Sequence, residues 1–142
     1  MAYSRFVDED QYTLGRLIDD LEKILTAEGC VVEFDFGGTP RDLHSWRGSY
    51  EELAIGWSHK DYYEGGQTER NIKYKDFLAM LEEAVGKKYQ GWKGGWYRMS
   101  KDTPVWVSKD GMGTHCGICK VVSWAPDTAT HLVILETKYF GY

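Results

Sequence analysis

A chain of 142 residues with 42% apolar and 27% charged side chains has the composition of one folded domain with a single sizeable core, not of a disordered tail. Its net charge of −5, with no basic run longer than Lys87-Lys88, argues against DNA or RNA binding, since duplex nucleic acid demands a basic face, but leaves room for a local cationic pocket that takes one small anion. No apolar run reaches the length of a membrane span, the first eight residues lack a signal-peptide core, and three cysteines, an odd count, suit a reducing cytoplasm. Aromatic residues reach 15%, including ten Tyr and six Trp. Such an excess fills either an aromatic core or binding surfaces, including those of a homo-oligomer.

In chain order, Asp8-Glu9-Asp10 precedes a helix, where acidic groups suit the positive end of the dipole. Leu14, Leu17, Ile18, Leu21, Ile24 and Leu25 repeat at the spacing of one helical face, with Thr13 as a candidate N-cap, a start one turn earlier as the alternative, and Gly29 as the C-terminal stop. Cys30 to Phe36 alternates and reads as a half-buried strand, with Val32, Phe34 and Phe36 on one face. Gly37-Gly38-Thr39-Pro40 breaks it. Tyr50 to Trp57 reads as a second strand, although Glu51 to Ala54 also fits a helical turn. Ser58 to Arg70 is polar and reads as a loop. Tyr74, Phe77, Leu78, Leu81 and Val85 mark a second amphipathic helix, stopped by Gly86. A loop over Trp92–Arg98 follows, then a strand over Thr103–Val107 that starts after a proline, a turn over Ser108–Gly113, and a strand over Ile118–Trp124. His131 to Thr137 is a closing apolar strand placed centrally in the sheet. The pattern predicts one α+β domain over residues 1–142, with two packing helices and a mostly antiparallel sheet of five or six strands.

Two clusters carry chemistry. Ser45-Trp46-Arg47-Gly48-Ser49-Tyr50 sets a planar guanidinium among aromatic faces and hydroxyls, a combination suited to a phosphate or carboxylate on a flat ring. The same residues also serve a purely structural role if Arg47 tethers the loop and the aromatics pack inward. Gly91-Trp92-Lys93-Gly94-Gly95-Trp96-Tyr97-Arg98 repeats the recipe on glycine-permitted backbone. It lacks the spacing of a phosphate-binding P-loop, and exposed Trp beside cations also suits a protein partner. Trp106 adds a further candidate aromatic. Glu136, ending an apolar strand, needs a partner such as Arg47 or Lys93, or else acts as an acid or base.

Cys116-Gly117-Ile118-Cys119 offers half a zinc site or a redox pair. Completing four ligands would draw on Cys30, His44, His59, His115 or His131, no second Cys-x-x-Cys exists, and a strand is the wrong setting for a redox pair. These cysteines read as buried or half-buried thiols, and no metal or cofactor is assigned. No Gly-x-Ser-x-Gly elbow is present, and no catalytic set is assigned.

Ser45-Trp46-Arg47-Gly48-Ser49-Tyr50-Glu51-Glu52-Leu53-Ala54, Gly91-Trp92-Lys93-Gly94-Gly95, Asp102-Thr103-Pro104-Val105-Trp106-Val107 and Glu136-Thr137 together resemble small accessory proteins of tailed bacteriophages. The resemblance runs from about Phe34 to the end and keeps the order of the motifs; the first helix and the Cys-x-x-Cys lie outside it. It implies a context, the cytoplasm of an infected bacterium, and a role in countering host defence, but no activity. The leading expectation is a protein that binds a small anionic, nucleotide-derived ligand without turning it over, through Ser45, Trp46, Arg47, Tyr50, Trp92, Lys93, Trp96, Trp106 and Glu136. The alternatives are an inhibitor that grips a host defence protein with its aromatic loops and acidic surface, and a nucleotide-processing enzyme.

Overall fold

Thr13 opens the first helix: its hydroxyl accepts the Arg16 N–H at 3.3 Å, satisfying one of the donors that a helix start leaves unpaired. The computed structural model of the chain describes residues 10–24, 30–46, 49–57, 72–91, 93–124 and 132–140. Helix α1 spans Leu14–Glu22 and buries Leu14, Leu17, Ile18 and Leu21, the face set by their spacing. It stops before Leu25, because the Ile24 N–H bonds Leu21 O at 3.1 Å and tightens the last turn. Ile24 still packs on the core, and the expected stop at Gly29 lies outside the described residues. Helix α2 spans Tyr74–Ala84, buries Tyr74, Phe77, Leu81 and Ala84, and gives way at Gly86, φ 82°.

The strands are β1 (Val31–Phe34), β2 (Asp42–Trp46), β3 (Ser49–Trp57), β4 (Lys88–Gln90), β5 (Trp96–Arg98), β6 (Val105–Lys109), β7 (Met112–Trp124) and β8 (Leu132–Tyr139). Six form one sheet in the order β1-β8-β7-β6-β3-β2, while β4 and β5 pair as a separate two-stranded ribbon. The pairs β2·β3, β6·β7 and β7·β8 are antiparallel; β1·β8 and β3·β6 are parallel. The described residues thus form an α+β fold with two helices, and β8 is interior to the sheet.

Three segments depart from the sequence reading. The first strand ends at Phe34, where Phe34 N–H bonds Gly38 O at 2.8 Å and Gly37 takes φ 96°. Phe36 is therefore not on the core face; it is 47% exposed and stacks on Phe34 with centroids 5.0 Å apart. The expected loop over Trp92–Arg98 is partly the strand β5, paired with β4. The expected turn over Ser108–Gly113 shrinks to Asp110-Gly111, at φ 50° and 80°, the backbone of a two-residue hairpin turn.

Alternation divides the sheet into two faces. Val32, Phe34, Leu53, Ile55, Val105, Val107, Ile118, Val133 and Leu135 face the helices and join them in the main core. Trp106 and Ala54, between those positions, belong to a second cluster with Trp46 and Phe140, against which Cys119 packs. Tyr74 donates its hydroxyl to Leu21 O and Tyr12 donates to Asp20, so two core tyrosines fasten α1.

The helix pairing also brings two carboxylates together. The carboxyl of Glu22 is pushed above its ordinary range, first by the hydrogen bond it shares with Glu82 and then by desolvation and that residue's charge. Because folding raises this pKa, the folded state takes up the proton more readily than the unfolded chain, and the resulting stabilisation is lost as pH rises through the folded-state value. Glu82→Gln removes the repelling charge. Thermal unfolding from about pH 4 to about pH 7 should show the variant gaining on the native protein as pH rises; parallel profiles would show that the two carboxyls do not interact.

Candidate functional site

The two clusters singled out in the sequence meet. Ser45 is buried on β2, and its hydroxyl donates to Gln90 O on β4 at 3.3 Å. Tyr50 on β3 stacks on Tyr97 of β5, with centroids 5.3 Å apart and planes 26° from parallel. Gly91 sits against both rings, where a Cβ would come 2.9 Å from each, so only glycine lets the ribbon lie this close to the sheet. The ribbon loop then closes with Gly91 N–H on Gly95 O at 2.6 Å and Gly94 N–H on Gly91 O at 2.9 Å. Lys93 and Trp96 are exposed, Trp96 at 63%. Arg47 and Trp92 lie outside the described residues.

Trp46 and Trp106 occupy a different setting. They are 4% and 2% exposed and stack on each other at 4.8 Å with planes 15° apart. Phe140 meets Trp106 edge-on at 6.4 Å, and Gly113 underlies Trp46, where a Cβ would come 2.8 Å from the indole. The faces that the sequence reading offered to a ligand are taken by one another. Glu136 is half-buried on β8, and its cross-strand neighbour is Lys120, not Arg47 or Lys93. With β7 between β8 and β6, Glu136 stands apart from the Ser45 junction.

A cleft of about 590 Å³ runs along edge strand β2, lined by Arg41, Asp42, His44, Ser45, Gly56, Trp57, Gln90, Ser108, Asp110 and Gly111. Its floor is a bridge across β3. The His44 Nδ1–H donates to Ser45 O at 3.0 Å, so in the neutral ring Nε2 is an acceptor and takes the Ser108 hydroxyl at 2.7 Å. Gly56 lies on β3 between them, opposite Asp42 in one register and Ser108 in the other. A Cβ there would overlap the Asp42 carboxylate, so glycine at 56 leaves room for Asp42, while its 3.4 Å approach to His44 Nε2 would be ordinary contact. Half-buried Trp57 forms the apolar wall, with Phe36 tilted against it at 5.0 Å and the Lys109 ammonium over its ring at 5.5 Å.

Serine, imidazole and a carbonyl that fixes the tautomer also make up a nucleophile and its base. Here Ser108 is 1% exposed and its hydroxyl is committed to the ring, so the pair builds the cleft wall and gives an electrophile no approach. Sequence reading missed His44, Arg41, Trp57 and Ser108 as one set. The one local signal is alternation, which puts Asp42 and His44 on the same side of β2; the β3–β6 pairing that brings in Ser108 has none.

Cys30 is buried, Cys116 and Cys119 are half-buried, and all three are free thiols. Burial raises the pKa of Cys30 and Cys119, the latter further through Glu136 and Asp35, which disfavours the reactive thiolate. Among the described residues, no group of three or more His, Cys, Asp or Glu is placed to hold a metal ion, and no helix is long and apolar enough to cross a membrane. The chain matches no known protein family, curated protein or solved structure.

Trp46→Ala distinguishes a packing indole from a ligand-stacking one. Opening the buried stack should cost about 3–5 kcal/mol in chemical denaturation, whereas a loss within about 0.5 kcal/mol, typical of surface positions, would place Trp46 on an accessible surface.

Proposed function

We propose that the chain binds a small anionic, nucleotide-derived ligand in the cleft along β2 and does not turn it over. The observation that carries this reading is the convergence of Arg41, His44 and Trp57 in one cleft, beside the junction that joins the two sequence clusters. Arg41 suits a phosphate by its planar fork, and His44, held between Ser45 O and the Ser108 hydroxyl, shapes the floor beneath it. Trp57 gives a flat ring an apolar wall, while Asp42 and Asp110 suit the hydroxyl donors of a ribose or the amino group of a base. Cation and carboxylates together favour a ligand with both phosphate and donor groups over a bare anion. Retention without turnover fits the committed Ser108 hydroxyl.

In this reading the protein is a phage accessory factor of the infected bacterial cytoplasm that withdraws a nucleotide-derived defence signal, alone or as a homo-oligomer. The resemblance of the Ser45–Ala54 and Gly91–Gly95 stretches to phage proteins supports that context. Withdrawal requires only tight binding in excess over the signal, so a catalytic set is unnecessary.

Native mass spectrometry of protein expressed in a bacterial host tests the reading. The expected result is a small mass lost on denaturation, or, for ligand-free protein, a thermal shift with added nucleotides equivalent to about 2.7 kcal/mol at a hundredfold excess over Kd. Arg41→Gln and His44→Ala should each reduce that shift. A bare chain mass together with no response to nucleotides would overturn the proposal.

A further inference from the structure

The β4–β5 ribbon presents a second surface of different character. From Val85 to Lys101 the sequence carries Lys87, Lys88, Lys93, Arg98 and Lys101 and no acidic residue, although the whole chain has a net charge of −5. Lys88 stands directly across from Arg98, and Gln90 across from Trp96, and all four are exposed. Tyr89 and Tyr97, which alternate with them, are half-buried against the main core. One face of the ribbon is therefore anchored and the other projects two facing cations beside a bare indole, with Lys93 at the tip.

Like charges directly opposite each other weaken a strand pair. Lys87 is held by Glu83 at 3.6 Å, but among the described residues no carboxylate pairs with Lys88, Lys93 or Arg98. Arg98 gives one N–H to Gly86 O at 2.6 Å, which fixes the guanidinium while leaving the rest of its fork to a partner. An anion between Lys88 and Arg98 relieves the repulsion.

We propose that this face is a docking site for a single nucleic-acid strand, adjoining the small ligand's cleft at Gln90 but built on Lys88, Trp96 and Arg98, which do not line it. Trp96 and Arg98 lie two residues apart on one strand face, roughly 7 Å along the ribbon, so a base stacked on the indole leaves its neighbouring phosphate at the Lys88–Arg98 pair. Stacking platforms flanked by cations hold single strands with little regard for sequence. A duplex keeps its bases stacked and cannot use the indole. An acidic protein would answer the cations, but the Trp96 ring, 63% exposed with Lys88, Gln90 and Arg98 as its companions on that face, offers no apolar pocket for a side chain.

Fluorescence anisotropy of a labelled oligothymidylate of about 12 nucleotides tests the proposal, using the full chain at several salt concentrations. The expected result is binding that weakens with salt at a log–log slope of about −1.4 to −2, the signature of two or three phosphates. Trp96→Ala should bind about fivefold to a hundredfold more weakly, and Lys88→Gln should make the slope shallower by about 0.7, with the circular dichroism of both variants unchanged. No binding at low salt, equal binding of a duplex, or undiminished binding by well-folded Trp96→Ala would each overturn the proposal.

Discussion

A six-stranded sheet has two faces to withdraw from water, and among the described residues helices cover one. Helices α1 and α2 share the main core with the alternate residues of five strands. The opposite face must find cover among its own side chains, and the Trp46–Trp106 stack with Phe140 and Ala54 supplies it. Two of the six tryptophans are spent in this way. The aromatic excess is therefore partly spent on the sheet face that α1 and α2 do not cover, while Trp96 is exposed and Trp57 is half-buried beside the cleft.

The same constraint explains what was legible in the sequence. Helix α1 was legible because its buried positions recur with the helical period and Thr13 caps it locally. Strand β8 was legible because an apolar run interior to a sheet carries its signal within itself. Strands β4 and β5 have three residues each, too few for alternation to register, and their pairing depends on the loop Gly91–Gly95 closing on itself. The true turn between β6 and β7 was signalled by Asp110-Gly111, a dipeptide that favours two-residue hairpins, but the glycines and polar residues just after it disguise the start of β7. The burial of Trp46 has no local sign, since its partner lies sixty positions away and the two indoles meet only when β2, β3 and β6 align.

For the site, sequence reading identified the right neighbourhood by composition but could not select among its residues. Ser45 and Tyr50 do touch the glycine-rich ribbon, through Gln90 and Tyr97. The cleft beside that contact is built by His44, Gly56 and Ser108 from three adjacent strands, and a bridge of this kind exists only in the folded register. Glycine at 91 removes a side chain so that Tyr50 and Tyr97 can meet beside it, and glycine at 56 makes room for the Asp42 carboxylate. A small ligand in the cleft would contact residues whose positions are already fixed by the sheet, which keeps the ordering cost of binding low.

An amide NMR titration with a nucleoside diphosphate tests the proposed ligand site in the cleft along β2 most directly. Saturable shifts should concentrate on Arg41–Ser45, Trp57 and Ser108–Gly111. Shifts confined to the β4–β5 ribbon, or none at millimolar ligand, on the order of the weakest specific affinities, would contradict it.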